Sequence, residues 1–122
     1  MTLPNLIILY VKDTKASTAF YRRLFGREPA VEAPNFTAFP LDGGFTLGLW
    51  AEANVKPDAR GSGARSEIAF TLDGKGAVAA KYEQWKADGY DIEQPLTTMD
   101  FGPTFVINDI DGHRIRVCEP DK

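Results

Sequence analysis

Leu6-Ile7-Ile8-Leu9-Tyr10-Val11-Lys12-Asp13, near the start of a 122-residue chain, is an apolar run ending in an acid that can cap a helix. The run itself is β-prone. Beyond Asp13 the apolar residues Ala16, Ala19, Phe20 and Leu24 recur at three- and four-residue spacing, which predicts a helix, and Gly26 stops it. Short strands are expected next over residues 28–32, 36–41 and 45–50, with Asp42-Gly43-Gly44 turning the chain between the last two. Residues 52–64, holding Pro57, Gly61 and Gly63, have the composition of a linker. The order of elements then repeats. Residues 67–72 form a predicted strand, and residues 77–88 a helix with Val78, Tyr82 and Trp85 on one side and Gly89 as its stop. Strands over 91–97, 104–108 and 113–119 complete the second copy. The pattern predicts an α+β fold of two βαβββ modules, residues 4–51 and 65–120, in a single domain spanning 1–122. The repeat is one of element order, with a period of about sixty residues, and not of residue identity.

Composition narrows the function classes. With 43% apolar and 25% charged residues the chain has the make-up of an ordinary globule, long enough to bury a core without staples. Leu6–Val11 is far too short to cross a bilayer, so no membrane partner is expected. The 14 basic and 17 acidic residues include no basic block, which argues against nucleic acid as a partner. Cys118 has no second cysteine to pair with, and the first residues lack the pattern of a secretory signal, so a cytoplasmic location is expected.

Val11-Lys12-Asp13, Phe20-Tyr21 and Leu24-Phe25-Gly26, with Asp109-Ile110-Asp111-Gly112-His113 near the end, resemble the signatures of the vicinal oxygen chelate superfamily, the glyoxalase and bleomycin-resistance fold. The resemblance covers nearly the whole chain. It implies that the two modules form a cupped mixed sheet with helices on the outer face, completed by dimerisation. The superfamily includes metal-dependent lyases, isomerases, transferases and dioxygenases beside metal-free proteins that only hold antibiotics, so the fold does not set the chemistry.

The ligand positions of metal-holding members can be compared with this chain. The first strand of such members opens with a histidine or similar ligand seven residues before the aspartate that is here Asp13, and this chain has Leu6. The second module places a ligand at the start of its first strand, which here is Glu67. The last ligand, a glutamate four residues after the glycine of the Asp-Gly turn, is replaced by Arg116. A catalytic divalent ion needs about three protein donors, and a hydrocarbon and a permanently protonated guanidinium supply none. No metal and no cofactor are therefore expected at that site.

Strand alternation then divides the residues between faces. With Leu6, Glu67 and Arg116 on the concave face, Ile8, Tyr10, Ala69, Thr71, Arg114 and Cys118 join them, while Ile7, Leu9, Val11, Ile68, Phe70, Ile115 and Val117 face the helices. Glu67 and Arg116 either pair with each other or act together, Arg116 gripping a ligand anion through its planar fork while Glu67 orients it. His113 falls on the face opposite Arg116 and reads as a local turn residue, and Cys118 as a packed, inert thiol.

Phe36, Phe39, Phe45, Trp50, Phe101 and Phe105 lie in strands and loops, where flat rings can stack a flat ligand, with Trp50 the foremost candidate at a strand end. Ser17-Thr18, Ala38-Phe39-Pro40, Trp50, Ser66-Glu67-Ile68 and Asp111 to Cys118 are similar to a branch of the superfamily that sequesters phenazine antibiotics without modifying them. That resemblance implies a metal-free homodimer taking up a planar aromatic small molecule that can carry a carboxylate. The expected ligand-binding set is Trp50, Arg116, Glu67, Phe36, Phe39, Tyr10 and Phe101, with no catalytic residue. The alternative is an enzyme of the same superfamily, metal-dependent around Glu67 or metal-free through Tyr10 or Cys118.

Overall fold

A computed structural model describes residues 3–61, 63 and 66–120; positions 62 and 64 of the expected linker, and 65 at the start of the second module, lie outside the described residues. The chain divides into two compact units, residues 1–62 and 63–122. Each is a βαβββ module with its own four-stranded mixed sheet.

In the first unit β1 (Leu6–Val11) leads into α1 (Thr14–Phe25), then β2 (Val31–Glu32), β3 (Phe36–Leu41) and β4 (Phe45–Ala51). The helix begins where the sequence demands it. Asp13 is extended and its carboxylate accepts the Ala16 backbone N–H at 3.2 Å, satisfying a donor that the first turn leaves open. Gly26 ends the helix in the left-handed region at φ 64°, where a β-carbon would be strained. The sheet order is β1-β4-β3-β2, with β1 parallel to β4 and the other pairs antiparallel.

The buried face of α1 differs from the one expected. Ala16 and Ala19 are exposed, whereas Thr14, Ser17, Thr18 and Tyr21 are buried. Small hydroxyl side chains line the buried face of the helix, where Thr18 carries its hydrogen bonds inward and the Thr14 hydroxyl is buried without a partner among the described residues. Thr18 Oγ1 donates to the Thr14 carbonyl at 2.7 Å and lies 2.8 Å from Thr37 Oγ1 on β3. Around this polar seam Tyr21, Phe25, Phe39, Leu47, Leu49 and Val11 close the core.

The first part of the expected linker is structured. One turn of 3-10 helix spans Glu52–Asn54, and Val55 behind it is buried.

In the second unit β5 (Glu67–Thr71) is followed by α2 (Ala77–Ala87), β6 (Asp91–Met99), β7 (Gly102–Asn108) and β8 (Arg114–Cys118). The order is β5-β8-β7-β6, with β5 parallel to β8. Here the expected helix face is the observed one: Val78 and Trp85 are buried, and Tyr82 packs edge-on against Phe105. Phe105, Ile107, Ile115 and Val117 turn one face of the sheet into core, and Trp85 meets Phe70 and Phe105 edge-to-face. No helix of the described residues is long and apolar enough to cross a membrane.

Candidate ligand-binding site

The sheet of the second unit has a second face, and its register dictates what stands there. Cross-strand partners share a face, so Ala69 opposite Arg116, Val106 opposite Arg116, Thr104 opposite Cys118 and Gln94 opposite Val106 all belong with Glu67 and Arg116. This is the face assigned to ligand by alternation, and its helix-facing counterpart is apolar as expected.

Arg116 is the centre of this face. Its Nε and Nη2 donate to the two oxygens of Glu67 at 2.5 and 3.1 Å, a bidentate pair between two adjacent parallel strands. Its Nη1 donates to Gln94 Oε1 at 3.2 Å and to Thr104 Oγ1 at 3.0 Å. Thr104 is fully buried and passes its own proton to the Val117 carbonyl at 2.8 Å, which fixes the hydroxyl as an acceptor toward Arg116. The pairing shifts both titrations. The hydrogen bond from Arg116, together with its charge, outweighs partial burial and lowers the Glu67 pKa, while the same bond makes Arg116 still harder to deprotonate. The pair forms, as one of the two sequence readings has it. The two parallel hydrogen bonds that the other reading offers to a ligand carboxylate are made to Glu67 instead.

Phe101, in the turn between β6 and β7, stands with its ring centroid 5.9 Å from the Arg116 guanidinium carbon and is 49% exposed. A ring so open to solvent beside a cation offers apolar surface that a flat group can stack on. One strand position away, Arg114 is matched in the same manner, its Nη2 lying 2.5 Å from Glu93 Oε2.

The first unit has aromatic side chains of its own on β1, β3 and β4. Tyr10, Trp50 and Phe36 lie in one cross-strand row on β1, β4 and β3. Tyr10 and Trp50 meet edge-on with centroids 6.4 Å apart, and Tyr10 is 45% exposed. Gly48 makes room for this row, since a β-carbon there would come within 2.9 Å of Phe36 Cζ. Phe39 does not belong to it. Three residues from Phe36, it falls on the opposite face, is fully buried and packs edge-to-face on Phe25 at 5.6 Å, so it is core and not a ligand contact.

Metal chemistry finds a poor donor set at the superfamily position. Glu67 has both oxygens engaged by Arg116, and Leu6 and Arg116 bring no donor atom. Among the described residues Asp109, Asp111 and His113 place ligand atoms within 4.8 Å of one another. Asp109 spends these atoms on the turn: Oδ1 accepts the backbone N–H groups of Asp111 and His113 at 2.9 and 2.8 Å, and Oδ2 bonds His113 Nδ1 at 2.7 Å. His113 is thus a turn residue, held by a carboxylate as well as by backbone. A depression of about 280 Å³ beside the start of α2, lined by Leu72, Asp73, Gly74, Lys75, Glu119 and Pro120, carries no aromatic side chain.

Gln94 and Thr104 were not singled out by the sequence, because both reach Arg116 through strand register, which no local motif encodes. Gly48 left one signal, a glycine inside a strand, which marks close approach of a neighbour.

A model of the glyoxalase/bleomycin resistance protein/dioxygenase superfamily matches residues 4–117. The phenazine antibiotic resistance protein EhpR of Enterobacter agglomerans is 37% identical over 124 residues, covering 97% of this chain and 92% of that protein. The solution structure of protein ATC0852 from Agrobacterium tumefaciens is 39% identical, with a TM-score of 0.86 and full coverage of both chains. A glyoxalase-related enzyme from Fulvimarina pelagi superposes with a TM-score of 0.81 at 25% identity, over 98% of this chain and 90% of that one.

Proposed function

Since the chain belongs to the glyoxalase/bleomycin resistance protein/dioxygenase superfamily, we propose that it is a member that binds a planar aromatic small molecule and confers tolerance by sequestration, without covalent chemistry. The observation that carries the reading is Arg116, locked into Glu67, Gln94 and Thr104 where a metal-holding member has a donor. A cation built into the sheet by four hydrogen bonds repels a divalent ion. The exposed ring of Phe101 in the second unit, and exposed Tyr10 with half-buried Trp50 and Phe36 in the first, supply flat apolar surface of the kind that stacks a fused ring system. The similarity to EhpR supports a phenazine-like ligand. The reading includes a homodimer, supported by the exposure of Leu6, Ile7, Ile8 and Tyr10 on the edge strand β1.

Protection by binding alone is mass action, so it requires protein at least as abundant as drug and a dissociation constant of about micromolar or below. Titration of the purified protein with phenazines should quench tryptophan fluorescence saturably. Most of the quenching should vanish in Trp50→Phe, because Trp85, the other tryptophan, is buried against Phe70 and Phe105. The ligand should be recovered chemically unchanged. Recovery of a modified product, or a stoichiometric divalent ion that is lost on Glu67→Ala, overturns the reading in favour of an enzyme.

A further inference from the structure

The two arginines of β8 both stand on the same face of the second sheet, and among the described residues Arg116 presents no free bidentate edge. Arg116 has five N–H donors by its chemistry. Its Nε and one Nη2 hydrogen go to Glu67, and its two Nη1 contacts go to Gln94 and Thr104, so among the described residues one N–H is left over. Arg114 is held in the same fashion by both oxygens of Glu93, with Nε at 3.1 Å. Each guanidinium therefore sits beside a carboxylate of opposite sign, and the face as a whole carries no uncompensated positive charge.

We infer that Glu67 is the specificity-determining residue of this site: by occupying the bidentate edge of Arg116 it turns an anion hook into a neutral stacking plate, so that the site selects uncharged planar rings over ring carboxylates. This rests on the binding reading above and adds the charge class of the ligand to it. A ring laid against Phe101 and the guanidinium plane meets π surface and a single remaining donor, which suits a ring nitrogen, carbonyl or amide oxygen. A carboxylate brought to the same place meets the Glu67 carboxylate first, and like charges placed together in an interface are strongly disfavoured. Glu67 stays ionised throughout the neutral range because Arg116 lowers its pKa. Gln94 belongs to the same device. It meets Nη1 with a neutral oxygen, so among the described residues Glu67 is the carboxylate hydrogen-bonded to Arg116.

Phenazine-1-carboxylate and phenazine-1-carboxamide are matched probes differing in charge, and both can be titrated by isothermal calorimetry at neutral pH. Glu67→Gln should raise the affinity for the carboxylate relative to the carboxamide about tenfold, the gain expected from removing one like-charge neighbour. Gln94→Glu, which adds an acid at the other side of Arg116 on a part-exposed side chain, should lower the affinity for the carboxylate relative to the carboxamide by about as much. A carboxylate-to-carboxamide ratio that neither substitution moves overturns the inference, as does weaker carboxylate binding in Glu67→Gln, which marks Glu67 as the orienter of an anion-gripping arginine. In both cases the binding reading stands. Absence of saturable binding by either probe overturns the inference and the binding reading together.

Discussion

At the scale of single residues, the turn before β8 shows how a motif can be legible while its work is not. The order Asp109-Ile110-Asp111-Gly112-His113 is a recognisable signature, but that Asp109 is buried and ties together two backbone N–H groups and an imidazole follows only from its coordinates. The hydrogen bond to Asp109 and its charge raise the His113 pKa above the ordinary value of 6.5, against the opposing effect of burial. A raised folded-state value means that the protonated form favours the fold. The contribution is complete below about pH 6.5 and disappears as pH climbs through the raised value. His113→Gln should therefore lower the melting temperature more at about pH 5.5 than at about pH 9, and an equal loss at both would refute the pairing. Parity explains the one ligand candidate that proved to be core. Phe36 and Phe39 cannot share a face of one strand, so phasing β3 against the turn at Asp42-Gly43-Gly44 would have separated them.

At the scale of elements, punctuation was more legible than faces. Asp13, Gly26 and Gly89 bound the helices close to where the sequence places them, because each answers a local backbone need. β1 and β3 match their expected limits, whereas β2 shrinks to Val31–Glu32. Pro29 accounts for part of that loss, since it has no N–H to give a ladder. The buried stripe of α1 was hidden by chemistry: Thr14, Ser17 and Thr18 look like solvent residues and are interior ones. The burial of Thr18 is tolerable because it and Thr37 satisfy each other, whereas the Thr14 hydroxyl is buried without a partner among the described residues. Thr18→Val should cost about 1–3 kcal/mol by stranding the Thr37 hydroxyl, and Thr18→Val with Thr37→Val should recover much of the loss. Urea denaturation of the two single variants and the pair gives the coupling directly. Simple additivity would show that the seam is not a hydrogen-bonded unit.

At the scale of the whole molecule, the chain reads as two units, each with a core of its own. The repeat of element order foretold both units, and the superfamily match over residues 4–117 spans them. Strand register was beyond the sequence, and with it the partners Gln94 and Thr104 that make Arg116 a fixture. A binder that uses no metal should be indifferent to chelators. Dialysis against EDTA should leave both the melting temperature and its ligand-induced rise unchanged, and that rise should correspond to about 2.7 kcal/mol at a hundredfold excess over the dissociation constant. Loss of the rise after dialysis, restored by zinc or nickel, would reverse the assignment.

The parallel pairing of each module's first strand with its last also governs how the chain comes off the ribosome. β1 has β4 as its sheet neighbour, and β5 has β8. Leu6–Val11 thus waits without a ladder until residues 45–51 have emerged, a delay of the kind that exposes apolar strands to chaperones during synthesis. The second delay falls on Glu67, which meets its arginine only once β8 has been made.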